Sequence, residues 1–570
     1  MTYDPGVLTP TPGAPAASGA RRLPGSAERK TQALAWLRTA VRLPGSTACR
    51  RDSLIVFCAA FAYLCLFAGV LQRIGDEGTL VYGAARVAAG AVPYRDFADL
   101  ANPLSFYWLG AWFAVFGTHL AVARLLLVLT GACTASLIFW LAARAYGTRT
   151  GVTAAVLGTV LGIPFWPGTN HHWDANLFFL VVLWCLALWQ SRLNRVFALL
   201  AGVAAAVTAG FMVNKGALAL LVALATVWRC QRRGCYRAAL AVLVGFGATI
   251  AGIALVFIVL GAASDFYYVN FTFPATRYAS VDRVPYAFYF SAVAWLGPLS
   301  LLNQFLPPIV AESLAGVLAV PLAAVATVPL CAILLMVSRR YAGRARLGRE
   351  EALLWIGGIA LWLGETHRWD MFHLMYGSPV ILAAVVGETL VNGNEKRWKS
   401  HVVGVLTVCS LALGLWQGAI AMAAQVRQET RRGEVRTYVR DDALQFLLDK
   451  TKPGDFVFVY PYCPMYYFLA AVKNPTRHGI LLYGYNTDAQ FQEAVADIDR
   501  AMPRYVLWDT LVDGDNLTRW YPTYVHPPER DLIIEPYLVR HYRTIATKSG
   551  FRIMERVDAR TDVEAETTGR

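Results

Sequence analysis

Apolar runs close to the length of a membrane-spanning helix recur along this whole chain, and nothing else in it limits the fold so tightly. A span needs roughly 20 predominantly apolar residues. Eleven segments read as spans: Leu54–Leu71, Leu120–Ala143, Thr150–Phe165, Ala175–Gln190, Val196–Val213, Gly216–Trp228, Ala238–Gly261, Leu306–Val337, Ala352–Leu363, Leu374–Leu390 and Val402–Gln425. Leu104–Phe116 and Ala287–Leu302 are apolar but ambiguous. Charged residues make up only 16% of the chain, against roughly 25% in a soluble protein. The aromatic content excludes a disordered chain. The expected class is a polytopic α-helical membrane protein with about 11 to 13 transmembrane helices.

The formal charge of +14 must then be explained. In a soluble protein it would suggest nucleic acid. Here the cations are dispersed over several loops, so no nucleic acid partner is expected. Arg21, Arg22, Arg29, Lys30, Arg38, Arg42, Arg50 and Arg51 precede the first run and place the N-terminus in the cytoplasm. With eleven spans, the basic loops at Arg144/Arg149, Arg192/Arg195, Arg229–Arg237, Arg339–Arg349 and Lys396–Lys399 all fall inside. Counting just one of the ambiguous segments as a span would reverse every later loop. Both are therefore expected to be re-entrant or surface-lying helices on the outer side, which is tolerated where they line a protein cavity.

Three regions follow. Residues 1–50 read as a disordered, basic cytoplasmic tail. Residues 51–427 form the membrane domain, with a long first external loop at 72–119. Residues 428–570 form an external α/β domain, with strands expected at Phe456–Tyr460, Tyr505–Trp508 and Leu532–Ile534 and helices at Asp441–Leu448 and Asp488–Ala501. The first span acts as a signal anchor. Of ten cysteines only Cys463 falls in the external domain, so no disulfide framework is expected there.

The polar residues of the outer face carry the chemistry. The first loop opens on Asp76-Glu77 and continues through Tyr94-Arg95-Asp96, all candidates for substrate contact. The second holds His171-His172-Trp173-Asp174, which suits a metal ion by residue type but lacks a diagnostic spacing. Asp174 also serves as a plain helix cap. Lys215 stands between two spans, where snorkelling is the plainer role and a phosphate partner the sharper one. Arg277 lies in an aromatic third segment, and His367-Arg368 in a fourth polar cluster, Glu365–His373. Near-membrane ionisable clusters are functional candidates by default. Acids that deprotonate an acceptor and cations that offset a leaving phosphate on one face suit transfer from a lipid phosphate donor.

These motifs resemble the GT-C superfamily of membrane glycosyltransferases, most of all the branch holding protein O-mannosyltransferases and lipid A aminoarabinose transferases. The likeness runs through Asp76-Glu77, Val92–Phe97, Asn102–Trp108, Phe116-Gly117 leading to Arg124-Leu125, and Asp174. It implies a multi-pass protein of a bacterial inner membrane. The donor would be an undecaprenyl- or decaprenyl-phosphate sugar, the acceptor a lipid, glycan or protein, and the anomeric carbon would invert. It makes Asp76 the general base with Glu77 tuning it. Asp174 orients the acceptor or, with His171 and His172, ligates a divalent cation such as Mg or Mn; otherwise no cofactor is required. Lys215, His367 and Arg368 match phosphate-binding cations more loosely. The chain departs from the lipid A transferases, which often show Lys-Pro-Pro, at Ala101-Asn102-Pro103. A lipid or sugar transporter is the alternative, although the hydropathy shows no repeat of the kind many transporters carry.

Overall fold

The computed structural model describes residues 47–71, 75–230, 235–278, 281–286, 306–341, 347–391, 397–519 and 521–557. The basic tail before Thr47, the ambiguous segment Ala287–Leu302, and loop cations such as Arg232, Arg233, Arg344, Arg346 and Lys396 lie outside the described residues. The helical part comprises α1 (Thr47–Cys65), α2 (Asp76–Ala88), α3 (Pro103–Phe116), α4 (Leu120–Tyr146), α5 (Thr148–Val160), α6 (His171–Arg192), α7 (Arg195–Phe211), α8 (Val213–Arg229), α9 (Cys235–Val259), α10 (Pro308–Tyr341), α11 (Arg349–Leu363), α12 (Met371–Val391) and α13 (Arg397–Ala423).

Each of the eleven apolar runs is occupied by a helix, because a run with no alternation can satisfy its backbone in lipid only within itself. Among the described residues, six are long and apolar enough to cross a membrane, against the eleven expected: Leu120–Tyr146, His171–Arg192, Cys235–Val259, Pro308–Leu334, Met371–Leu390 and Trp398–Ala423. The chain is a multi-pass membrane protein. The remaining runs are shorter or charged. α5 has 13 residues, α11 has 15, and α7 and α8 have 17 each, while α1 carries Arg50, Arg51 and Asp52 in its opening turns.

The ambiguous apolar segment Leu104–Phe116 of the long first loop is a helix, as expected. Much of 72–119 is helical, in α2 and α3, with a turn between them at 89–102. Pro103 starts α3 at a position where the missing N–H costs nothing. Asn102 donates to Asn270 Oδ1 and so ties that turn to the segment after α9.

The C-terminal region begins with a hairpin, β1 (Val426–Thr430) and β2 (Gly433–Thr437). It continues with α14 (Asp442–Lys450), β3 (Val457–Tyr460), α15 (Pro464–Leu469), α16 (Asp488–Ala501), β4 (Tyr505–Asp509), α17 (Ile534–His541), β5 (Tyr542–Lys548) and β6 (Phe551–Arg556). Four of these strands form a mixed sheet in the order β3-β4-β6-β5. β3 and β4 run parallel and are buried along their length, as their unbroken apolar runs require. Leu532–Ile534 is not a strand. Three apolar residues are too few, and Ile534 opens α17 with Pro536 in its first turn.

From Thr47 onward the helical and sheet-bearing parts form one compact unit. Val81, Leu109, Phe113 and Leu126 share one core with Leu444, Val459, Tyr466 and Phe468. Phe113 stacks on Phe468 with ring centroids 5.8 Å apart. Burying each such ring contributes roughly 1.5–3 kcal/mol. Gly78 allows this approach, since a Cβ there would lie 2.4 Å from the Met465 backbone nitrogen.

Candidate functional site

A cavity of about 250 Å³ lies where α2, the turn 89–102, α6 and α12 meet the C-terminal region. Asp76 opens α2, in a first turn that favours acids. It follows Gly75, whose φ of 134° is open to glycine and whose side, if it carried a Cβ, would strike Trp166 at 2.4 Å. Asp76 Oδ2 accepts a hydrogen bond of 2.9 Å from Asn170 Nδ2. Asn170 Oδ1 meanwhile caps the N-terminus of α6 by accepting from the His172 backbone N–H at 2.8 Å. One side chain thus ends a helix and aims the acid.

Glu77 turns the other way. It pairs with Arg124 at 2.5 Å and accepts from the Thr169 backbone N–H at 3.0 Å, with both partners of the pair 2% exposed. Burial raises the Glu77 carboxyl despite Arg124. Successive residues on a helix point about 100° apart, so adjacent acids serve different surroundings.

An ion-paired wall comes from the turn before α12. Arg368 bonds Asp282 and Asp370 and lies 4.9 Å above the Tyr521 ring. Those two acids outweigh burial and hold the guanidinium above its usual range. Burial works against ionised Asp370, but His373, 2.9 Å away, and Arg368 prevail and hold its carboxyl low. Burial pushes Asp282, which lacks the His373 hydrogen bonds of Asp370, up to about 6 despite Arg368. His367 does not line the cavity, and burial pushes it down to about 4.

The remaining wall belongs to the C-terminal region. Tyr462 donates to the Gly75 carbonyl at 2.9 Å and sits 3.1 Å from Thr79 Oγ1. Tyr485 donates to Asp282. Ile480, Leu482, Val512, Leu517 and Tyr521 complete the surface.

The structure brings together Asp76, His171, His172 and Arg368 of the residues singled out in the sequence. The buried Nδ1 of His171 has no protein partner among the described residues. Other candidates lie elsewhere. Asp174 accepts from Thr130 Oγ1 at 3.2 Å inside the bundle. Lys215 is wholly buried, pairing with Glu365 and donating to Asn176 Oδ1 at 2.7 Å. Tyr94 is buried and donates to the Ala101 carbonyl at 2.7 Å, while Arg95 and Asp96 pair at the exposed surface beside it. Arg277 does not line the cavity, although its neighbour Tyr278 does.

His171, His172 and Asp174 do not fit one metal ion. Asp174 faces Thr130, and His172 Nδ1 lies 3.0 Å from Glu365. Among the described residues no three His, Cys, Asp or Glu side chains converge as ligands.

Sequence reasoning missed Asp99, which stands in the turn after α2 between the Val92–Phe97 and Asn102–Trp108 motifs and belongs to neither. It also missed the C-terminal tyrosines, whose place in the cavity depends on docking rather than on local pattern.

No family model matches the chain, and no curated protein matches its sequence. Solved structures do match its fold. ArnT from Cupriavidus metallidurans bound to undecaprenyl phosphate aligns with a TM-score of 0.51 and 14% identity, over 90% of this chain and 98% of that one. The same protein in its apo state gives 0.52 and 13%, over 88% and 98%. The archaeal oligosaccharyltransferase AglB from Archaeoglobus fulgidus, in complex with an inhibitory peptide and a dolichol-phosphate, gives 0.51 and 11%, over 91% and 81%. At these identities the likeness concerns the fold, which this chain shares with ArnT and AglB.

Proposed function

We propose that the protein is a glycosyltransferase of a bacterial inner membrane. It moves a sugar from a polyprenyl-phosphate donor to an acceptor on the outer face, where the C-terminal domain stands. The observation that carries this reading is the cavity itself. An acid aimed by Asn170 and a guanidinium share one cavity between membrane helices and the C-terminal sheet region. Two structures of the same fold hold undecaprenyl phosphate or a dolichol-phosphate.

In this reading Asp76 accepts the proton of the acceptor group as that group attacks the sugar C1. The new C1–acceptor bond forms as the C1–O bond to phosphate breaks, so the anomeric centre inverts and the lipid phosphate leaves with an added negative charge. Arg368 and His171 face that charge. Positioned proton transfer contributes about 10²–10⁴-fold. Preorganised cations and donors act most strongly where water is excluded. No step uses a metal ion.

Full-length protein in proteoliposomes, given radiolabelled polyprenyl-phosphate sugars with lipid, glycan and peptide acceptors, tests the reading. Label appearing on an acceptor is the expected result. Movement of the donor between leaflets with no transfer would make the protein a transporter instead.

A further inference from the structure

Asp99 lies in the turn between α2 and α3 and lines both the main cavity and a smaller one beside it. Its Oδ1 accepts from the backbone N–H groups of Leu100 at 2.6 Å and Ala101 at 3.3 Å. Its Oδ2 accepts no hydrogen bond among the described residues. Gly479 leaves that oxygen room, because a Cβ there would come within 3.0 Å of it. The carboxylate is therefore held by one oxygen and offered by the other. Burial, reinforced by the charge of Asp76, pushes it up to about 7. Asp76 is the charge that acts on it, and Tyr462, His171, His172, Asp282, Arg368, Asp370 and His373 line the main cavity as well; Asp265, Arg477, His478, Tyr268 and Tyr485 line the smaller one, and Tyr94 lies beneath the turn. Arg477 is engaged by Asp265 and the Tyr94 carbonyl, and His478 by Glu493, so neither is committed to Asp99.

We infer that Asp99 receives a second hydroxyl of the acceptor, which makes the acceptor a polyol, the hydroxyl-rich end of a glycan, rather than a group with a single hydroxyl. The inference rests on the glycosyl-transfer reading above. Of the four carboxylates that line the cavity, Asp282 and Asp370 are paired with Arg368, whereas Asp76 and Asp99 have no ion pair among the described residues, and a ligand matching those two must donate at two points. One hydroxyl gives its proton to Asp76 as it attacks; a neighbouring hydroxyl donates to Asp99. An acceptor with a lone hydroxyl leaves Asp99 desolvated and unpaired, and sites of this kind discriminate strongly against the analogue that lacks the group. The smaller cavity suits the ring that follows. Tyr268, Phe273 and Tyr485 supply apolar faces, and Asn486 and Gln490 stand at its polar edge.

The test uses reconstituted full-length protein, radiolabelled polyprenyl-phosphate sugars, and two probes: n-octyl β-D-glucopyranoside as the polyol and a capped serine peptide as the lone hydroxyl. Wild-type protein should label the glycoside and leave the peptide unlabelled. Asp99→Asn keeps Oδ1 and both backbone bonds while turning the second position from an acceptor into a donor. It should raise KM for the glycoside about 10- to 100-fold and leave kcat within about threefold. Gly479→Ala, which crowds Oδ2 without altering the carboxyl, should raise the same KM. An unchanged KM in Asp99→Asn, or a peptide used as well as the glycoside, overturns the inference. So does wild-type protein that consumes donor and ignores the glycoside. A fully active Asp76→Asn control would instead overturn the glycosyl-transfer reading.

Discussion

The bundle interior and the cavity wall are built from the same acids and cations, yet they commit them differently. Inside the bundle two acids close on cations. Glu77 closes on Arg124, and Glu365 takes Lys215 while also contacting His172. At the cavity two acids, Asp76 and Asp99, meet neutral partners. Asp76 has Asn170, and Asp99 has two backbone N–H groups. Arg368 stands between the two patterns, paired with Asp282 and Asp370 but laid along the cavity surface. A buried pair spends its charge on itself. A carboxylate held by neutral donors keeps its charge for a ligand. The difference separates structural ionisable groups from chemical ones more sharply than residue type does.

Breaking an interior pair should have the largest effect on stability. Arg124→Ala leaves Glu77 charged and unpaired, and should cost about 3–5 kcal/mol. Thermal unfolding in detergent checks this, and replacing both Glu77 and Arg124 with leucine should recover most of the loss. If the single variant unfolds as wild type does, the interior layer is not what holds α2. At the cavity, Arg368→Gln should lower kcat about 100-fold. The accompanying check is acceptor KM, which should stay near the wild-type value if the guanidinium faces the leaving phosphate.

A pH series sharpens the comparison further. Asp99 titrates at about 7, so the acceptor-binding carboxylate is present above that value and lost as the pH falls through it. Wild-type acceptor KM should therefore rise on acidification from 8 to 6. Asp99→Asn should lack that limb. Arg95→Ala should have the smallest effect, with melting temperature and transfer both unchanged, since its pair with Asp96 is at the exposed surface. A large loss there would move the functional region out of the cavity and onto the first turn.

Much of the fold was legible because long apolar runs leave the backbone no alternative to helix, and each of those runs became one. Asp76 was legible for a related reason: a glycine-flanked acidic pair just past a span marks a helix start on the polar side. Its neighbour was not. No local pattern tells that Glu77 turns inward to Arg124, 47 positions away. Lys215 looked like a cation at the membrane edge, but Glu365 pairs with it from 150 positions on. Asp99, Tyr462 and Tyr485 fall outside every motif; the docking of the C-terminal region onto α2 and α3 gives them their place. Leu532–Ile534 failed on length, because a three-residue apolar stretch is equally the start of an amphipathic helix.

The most direct test is transfer by Asp76→Asn in proteoliposomes, normalised to folded protein, with donor binding measured alongside. Asparagine keeps the shape of the side chain and removes its basicity. The account predicts donor binding at the wild-type level and a loss of transfer of at least about 100-fold. Transfer at the wild-type rate would contradict it.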